Sequence, residues 1–309
     1  MKFARSLSEL DRSPNRAVAI GKFDCLHLGH QQLLKTLNQV AQDKKLVSTA
    51  LTFDRHPDSL LRPDQLKLAI LGENQKREVL AEAGIEEMVE LEFTAELAGL
   101  TPAEFVKKYL VDGLRAAVVV VGEGFRFGNQ GAGDCSLLRD LGAKYDFEVI
   151  ELAPVMFEGK VVSTTWIREL LDCGDVAKVN ALIGRTHEVT GVVEHGLKIG
   201  RKIGFPTANI ARDAEGYLPL DGVYAGWLVA GGNRYPAAHS VGINETFQAV
   251  PRLVESHVLD ERELDLYDQV VTLEFVDFLR PAAKFDGVEA LVAQINLDLE
   301  QVREKLGLK

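Results

Sequence analysis

A chain of 309 residues with 46% hydrophobic and 26% charged residues has the make-up of an ordinary globular protein and the length of two compact units. Its formal net charge of −11 argues against nucleic acid as the main partner, because gripping a phosphate backbone requires a surplus of lysine and arginine. The longest purely apolar run, residues 116–121, is far too short for a membrane span, and the first fifteen residues lack the apolar stretch of a secretory signal. A cytoplasmic protein with no membrane partner is therefore expected. Cys25, Cys135 and Cys173 form an odd, scattered set that offers neither a disulfide framework nor a metal-ligand spacing.

Up to about residue 185, short apolar runs alternate with amphipathic helical patterns. Residues 17–20 read as a strand; Leu33, Leu34, Leu37, Val40 and Ala41 follow helical spacing; residues 46–53 are a second strand and residues 118–121 a third, ending at Gly122. Strands separated by helices imply a parallel sheet with right-handed crossovers, whose ligand sits beyond the carboxyl ends of the strands. After Gly184 and Arg185 the rhythm changes to closely spaced strands at 187–194, 223–229, 237–241, 253–259 and 270–278, the density of a small antiparallel barrel. In the last of them Val271, Leu273 and Phe275 share one face while Thr272 and Glu274 share the other. A closing helix follows, with Val288, Leu291, Val292, Ile295, Leu299 and Val302 on one stripe. The expected fold class is α/β plus β, with domains at 1–185 and 186–309.

The segment Gly21-Lys22-Phe23-Asp24-Cys25-Leu26-His27-Leu28-Gly29-His30 follows the first strand and enters a helix. Two histidines three apart at a helix start share a face, where side-chain and backbone donors can converge on a polyphosphate at the positive end of the helix dipole. The plainer alternative is that His27 caps the turn and His30 is a surface residue. Ser163, Thr164 and Thr165 precede another helical pattern, with Arg168 one turn inside; such hydroxyls cap helices and also bind anions. A third element, residues 121–128, follows the valine-rich strand and carries Phe125 and Phe127, either as core or as the wall of a pocket.

Together these segments, with Thr52-Phe53-Asp54-Arg55-His56-Pro57, resemble the adenylyltransferase half of the bacterial bifunctional riboflavin kinase/FAD synthetases. The resemblance implies a Rossmann-like nucleotidyltransferase domain. In it Gly21, Phe23, Asp24, Gly29, Ser163, Thr164 and Thr165 bind nucleotide, Phe125 and Phe127 meet the flavin, and His27, His30 and Arg168, with Mg²⁺, neutralise charge as FMN phosphate attacks the α-phosphorus of ATP. Two positions depart from the family: Cys25 replaces Gly, and Gly124 replaces Asp or Asn. A positive φ at Cys25 would cost on the order of 1–2 kcal/mol, and loss of a polar group at 124 about 1–3 kcal/mol.

The stretch from Gly196 through Gly200, Arg201 and Gly204 to Pro206-Thr207-Ala208-Asn209 is a glycine-rich basic loop entering an extended segment. Such loops let backbone N–H groups approach phosphate, and Thr207 and Asn209, two apart, present a hydroxyl and an amide oxygen on the same side for a hard Mg²⁺. With residues 218–225 and 254–260, this is similar to the riboflavin kinase module of the same family, so that the resemblance spans nearly the whole chain. It implies that Gly196, Gly200, Arg201, Gly204 and Pro206 serve ATP, Thr207 and Asn209 the metal, and Gly222, Val223 and Tyr224 the flavin. Glu255 then activates the ribityl hydroxyl; a lone glutamate on a strand would otherwise read as a surface carboxylate. Glu245 and Asp268 stand where the family commonly has Pro and Gly, a difference of loop geometry. His239 and His257 read as structural, with no clustered His/Cys/Asp set for a transition metal.

The expected reaction sequence is riboflavin to FMN and FMN to FAD, with ATP consumed and ADP and pyrophosphate released. Two competitors differ in kind: a riboflavin kinase whose N-terminal half is degenerate, and a flavin-binding regulator without catalysis. Oligomeric state stays open, a homo-oligomer included.

Overall fold

The computed structural model describes residues 1–55, 68–195, 199–242, 252–261 and 264–308. Two compact units emerge, Met1–Ser163 and Thr164–Lys309. In the first, β1 (Lys2–Ala4), β2 (Arg16–Ile20), β3 (Val47–Phe53), β4 (Glu87–Leu91), β5 (Ala116–Gly122) and β6 (Glu148–Leu152) form a sheet in the order β1-β4-β3-β2-β5-β6. Every neighbouring pair is parallel. A small hairpin, β7 (Met156–Phe157) and β8 (Lys160–Val161), follows.

Strand alternation divides the apolar residues between two cores. Ala17, Ala19, Val118 and Val120 face helix Leu28–Lys44 through Leu33, Leu34 and Leu37, and the small alanines leave that helix room to lie close. Val18, Ile20, Val119 and Val121 face the opposite way, onto a cluster with Phe105, Leu110 and Leu138. From β2 the sheet grows through β3 to β4 on one side, and from β5 to β6 on the other, so the winding reverses between β2 and β5. A reversal of this kind leaves a crevice above the carboxyl ends of the two strands, and the segments that begin at Gly21 and Gly122 emerge there. Across the sheet, the fully buried Arg16 donates through Nε to Oε2 of Glu87 at 2.7 Å and through a terminal nitrogen to the Asp11 carbonyl at 2.6 Å.

In the second unit β9 (His187–Glu194), β10 (Ala208–Ile210), β11 (Gly222–Ala230), β12 (Asn233–Gly242), β13 (Leu253–Val258) and β14 (Val270–Pro281) close into a barrel in the order β10-β13-β12-β11-β14-β9. Val271, Leu273 and Phe275 point inward and are buried, while Thr272 and Glu274 on the other face are half-buried. At Gly226 a Cβ would lie 2.0 Å from the Glu274 carbonyl and 2.5 Å from His239 Nε2, so only glycine lets β11 close over that buried ring. His239 Nε2 donates to the Glu274 carbonyl at 3.2 Å, and its Nδ1 meets Ser256 Oγ at 2.9 Å.

Helices Thr164–Asp172 and Val176–Ile183 group with the barrel although the strand rhythm changes only near residue 185. Asn180 supplies the reason: its amide donates to the Phe275 carbonyl at 2.8 Å and its oxygen accepts from the His187 N–H at 2.7 Å. In the terminal helix Val288–Lys305 the expected apolar stripe is half-buried at Leu291, Val292, Ile295 and Leu299. Val302 is buried and Leu299 packs beside it, yet Val288 is 59% exposed, and the buried polar residue of the helix is Asp298, held by both Arg280 Nε and a terminal nitrogen at 2.8 Å. Among the described residues no helix is long and apolar enough to cross a membrane.

Candidate nucleotide sites

Where β2 ends, Gly21 leads into a loop tightened by two left-handed residues, Phe23 (φ 49°) and Leu26 (φ 45°). Cys25 is buried but not left-handed, so the strain expected of a cysteine at a positive φ does not arise there. Phe23 is fully buried with its ring edge-on to His30. Asp24 Oδ1 accepts from the Ile70 N–H at 2.8 Å and anchors the loop.

His27 is the N-cap of helix Leu28–Lys44: its Nδ1 accepts from the backbone N–H groups of Gly29 at 3.1 Å and His30 at 3.3 Å. The proton of the neutral ring is therefore on Nε2. Burial pushes the pKa of His27 down to about 4 and holds that of His30 well below the usual histidine range, with His27 adding to the second effect. The rings stack at 3.9 Å between centroids, and His30 is half-buried rather than a surface residue. Burial favours the uncharged rings, and a neutral imidazole offers a polyphosphate hydrogen-bond donation.

Beyond β5, Phe127 is core, 6% exposed, and Phe125 stacks on it at 5.6 Å with part of its surface open. Gly124 is left-handed (φ 76°), and a Cβ there would meet nothing within 4 Å. A cavity of about 80 Å³ at the carboxyl side of the sheet is lined by Lys22, Asp24, Phe53, Asp54 and Lys76 among others. Lys76, which sequence reasoning missed, is paired with the buried Glu90 at 2.5 Å; no local pattern marks a helix lysine and a strand glutamate as partners. His56 and Pro57 lie outside the described residues. Ser163 closes the first unit, and Thr164, Thr165 and Arg168 belong to the first helix of the second. There the Arg168 guanidinium lies over the Tyr217 ring at 5.2 Å, and Tyr217 donates to Asp172 Oδ1 at 2.6 Å.

The barrel carries the second constellation. Gly196 lies outside the described residues, as do residues 244–247. Gly200 and Arg201 sit in the short helix Ile199–Lys202, which folds back so closely that a Cβ on Gly200 would be 2.3 Å from the Phe205 carbonyl. Gly204 and Pro206 complete the approach to β10, and the Pro206 carbonyl accepts from His257 Nδ1 at 2.7 Å, a structural use of that histidine. Thr207 donates to Glu255 Oε2 at 3.2 Å, and Asn209 on β10 pairs directly with Glu255 on β13 and with Glu194 on β9. Hydroxyl, amide and carboxylate thus gather at one seam of the barrel, the hard oxygen donors that suit Mg²⁺. Next to them opens a small cleft of about 50 Å³ lined by Arg201, Pro206, Thr207, Ser256, Glu261 and Tyr267 with apolar neighbours.

Of the expected flavin residues, Gly222 and Val223 begin β11, while Tyr224 is fully enclosed against Phe275 and Phe278 and donates to the Leu220 carbonyl. Its ring is packing, not a wall open to a ligand. Arg252, overlooked in the sequence, fixes the loop before β11 by donating to Asp221 Oδ1 at 2.6 Å and the Leu218 carbonyl at 3.1 Å. Asp268 is left-handed (φ 62°), a conformation that aspartate tolerates better than most residues.

Residues 10–166 match the FAD synthetase family and residues 183–306 the riboflavin kinase family. The bifunctional riboflavin kinase/FMN adenylyltransferase of Listeria monocytogenes is 35% identical over 94% of this chain and 92% of its own, and that of Escherichia coli K12 30% identical over 100% and 99%. The chain belongs to the bifunctional riboflavin kinase/FMN adenylyltransferase family. Its relatives' names make it a transferase carrying both domains of that family. A Streptococcus pneumoniae crystal structure described as a macrolide-efflux protein superposes with a TM-score of 0.89 at 32% identity, covering 97% of this chain and 98% of that one.

Proposed function

We propose that residues 186–309 phosphorylate riboflavin to FMN with ATP, and that residues 1–185 transfer the adenylyl group of a second ATP to FMN, releasing pyrophosphate. The observation that carries the reading is the seam of β10 and β13, where Thr207, Asn209 and Glu255 are brought together from positions 46 to 48 residues apart in sequence.

In the phosphoryl transfer, Glu255 accepts the proton of the terminal ribityl hydroxyl as its oxygen bonds to the γ-phosphorus and the bond to ADP breaks. Thr207 steadies the carboxylate from one side. Thr207 and Asn209 would hold Mg²⁺, which when bound offsets phosphate charge. Arg201, at the rim of the cleft, faces the polyphosphate.

In the adenylyl transfer, a phosphate oxygen of FMN bonds to the α-phosphorus and the bond to pyrophosphate breaks. His27 Nε2–H donates to the phosphates; no protein nucleophile is needed, so positioning supplies the rate. Neutral imidazoles suit this task, because they hold phosphate without competing for protons.

Incubation with riboflavin, ATP and Mg²⁺, with products resolved by chromatography, tests both halves: FMN and then FAD should accumulate. FMN without FAD at any enzyme concentration would leave the kinase-only reading, and no riboflavin-dependent ADP would leave a flavin-binding protein.

A further inference from the structure

The loop after β2 contains more than a phosphate cradle. Cys25, His27 and His30 each turn one donor atom into a common space, Sγ and the ring nitrogens all lying within 4.8 Å of one another. This is the only such His/Cys/Asp/Glu group among the described residues. The spacing Cys-x-His-x-x-His was not read as a ligand set in the sequence, since the cysteines look scattered along the chain. A tight loop followed by a helix start brings the three together.

A second observation singles out the space. His30 Nδ1 is buried and has no hydrogen-bond partner among the described residues, and a buried polar atom left unmet is costly. One thiol and two imidazoles are a borderline-soft donor set. It is wrong for Mg²⁺, which selects oxygen, and right for zinc, which takes three protein ligands and leaves a fourth position open.

We propose that Cys25, His27 and His30 bind a zinc-like divalent cation, and that this occupancy competes with the polyphosphate of ATP for the two histidines. On binding, the thiol releases its proton to solvent and the imidazoles ligate as neutral rings. Metal binding stands without the adenylyltransferase assignment; its effect on FAD formation rests on it.

Co²⁺ reports thiolate ligation through a charge-transfer absorption in the near ultraviolet, which makes it the probe for the full-length protein. One equivalent of Co²⁺ should give that band, zinc should displace it, and Cys25→Gly should remove it and weaken zinc binding by on the order of a hundredfold. Cys173→Ser, altering the exposed cysteine, should leave the band intact. In assays with excess Mg·ATP, micromolar zinc should slow FAD formation from FMN while FMN formation from riboflavin continues, and Cys25→Gly should abolish the effect. The absence of a band in the wild-type chain, or its persistence in Cys25→Gly, would overturn the site. A band with no zinc effect on FAD formation would overturn the competition alone.

Discussion

Thr207 donates its hydroxyl proton to Oε2 of Glu255 across 3.2 Å, joining the residue that enters β10 to the middle of β13. The bond steadies the carboxylate beside β10 instead of leaving it to sweep through solvent. Glu255→Gln keeps the shape and removes the base. FMN formation should fall by about 10²–10⁴-fold, while FAD formation from supplied FMN continues. Equal loss of both reactions in folded protein would refute the division of labour between the halves.

The two histidines of the first unit differ in what they do for the fold. His27→Ala removes the helix cap and should lower stability by about 1 kcal/mol as well as abolishing FAD formation. His30 caps nothing, so His30→Ala should abolish FAD formation and retain FMN formation. Chemical denaturation of the two variants beside product analysis separates the cap from the chemistry.

Acid should weaken the protein through histidines that are buried neutral. Burial lowers His27, His187 and His239 from 6.5 to about 4. Between those values the unfolded chain binds protons that the folded chain refuses, so stability is complete above pH 6.5 and is lost as pH falls toward 4. Each histidine contributes a slope of about 1.4 kcal/mol per pH unit within that window. Urea midpoints at pH 7.5, 6.0 and 5.0 measure it; a flat profile would show that these rings titrate normally.

Gly124 invites the polar residue that the family resemblance implies at this position. Its φ of 76° and the empty surroundings of its Cβ admit asparagine, which tolerates the left-handed region. Gly124→Asn should leave stability within about 0.5 kcal/mol and raise the rate of FAD formation. An unchanged rate would mean that a polar side chain at 124 positions nothing.

The Arg280–Asp298 pair holds the terminal helix to the barrel, with Gln294 donating to the same carboxylate at 2.8 Å. Asp298→Ala strands a largely buried guanidinium and should cost about 3–5 kcal/mol, read as a lowered melting temperature. A shift under a degree would show that the helix is held by its apolar residues alone.

How far the sequence could be read follows from the range of the interactions. Strands were legible because alternation is local: Val271, Leu273 and Phe275 are buried as their spacing predicts. Motifs were legible because Pro206-Thr207-Ala208-Asn209 and the His27–His30 segment are contiguous. What escaped depends on partners distant in the chain or on loop geometry. Arg16 finds Glu87 across 71 residues, Lys76 finds Glu90, and Asp298 occupies a helix position that periodicity assigns to an apolar side chain. Cys25 was legible as a departure, yet the left-handed turns at Phe23 and Leu26 that bring it near the histidines leave no mark in composition.

β10 is the shortest stave of the barrel. Three residues long, it is stitched to β13 at two register positions and to β9 at two more, whereas β11 and β12 run together over nine. Breathing of the cylinder should therefore begin at this stave, and its amide protons should exchange with deuterated water ahead of those in β11. Because Asn209 rides on it, arrival of a nucleotide would act as a splint, and the same protons would become the first to slow.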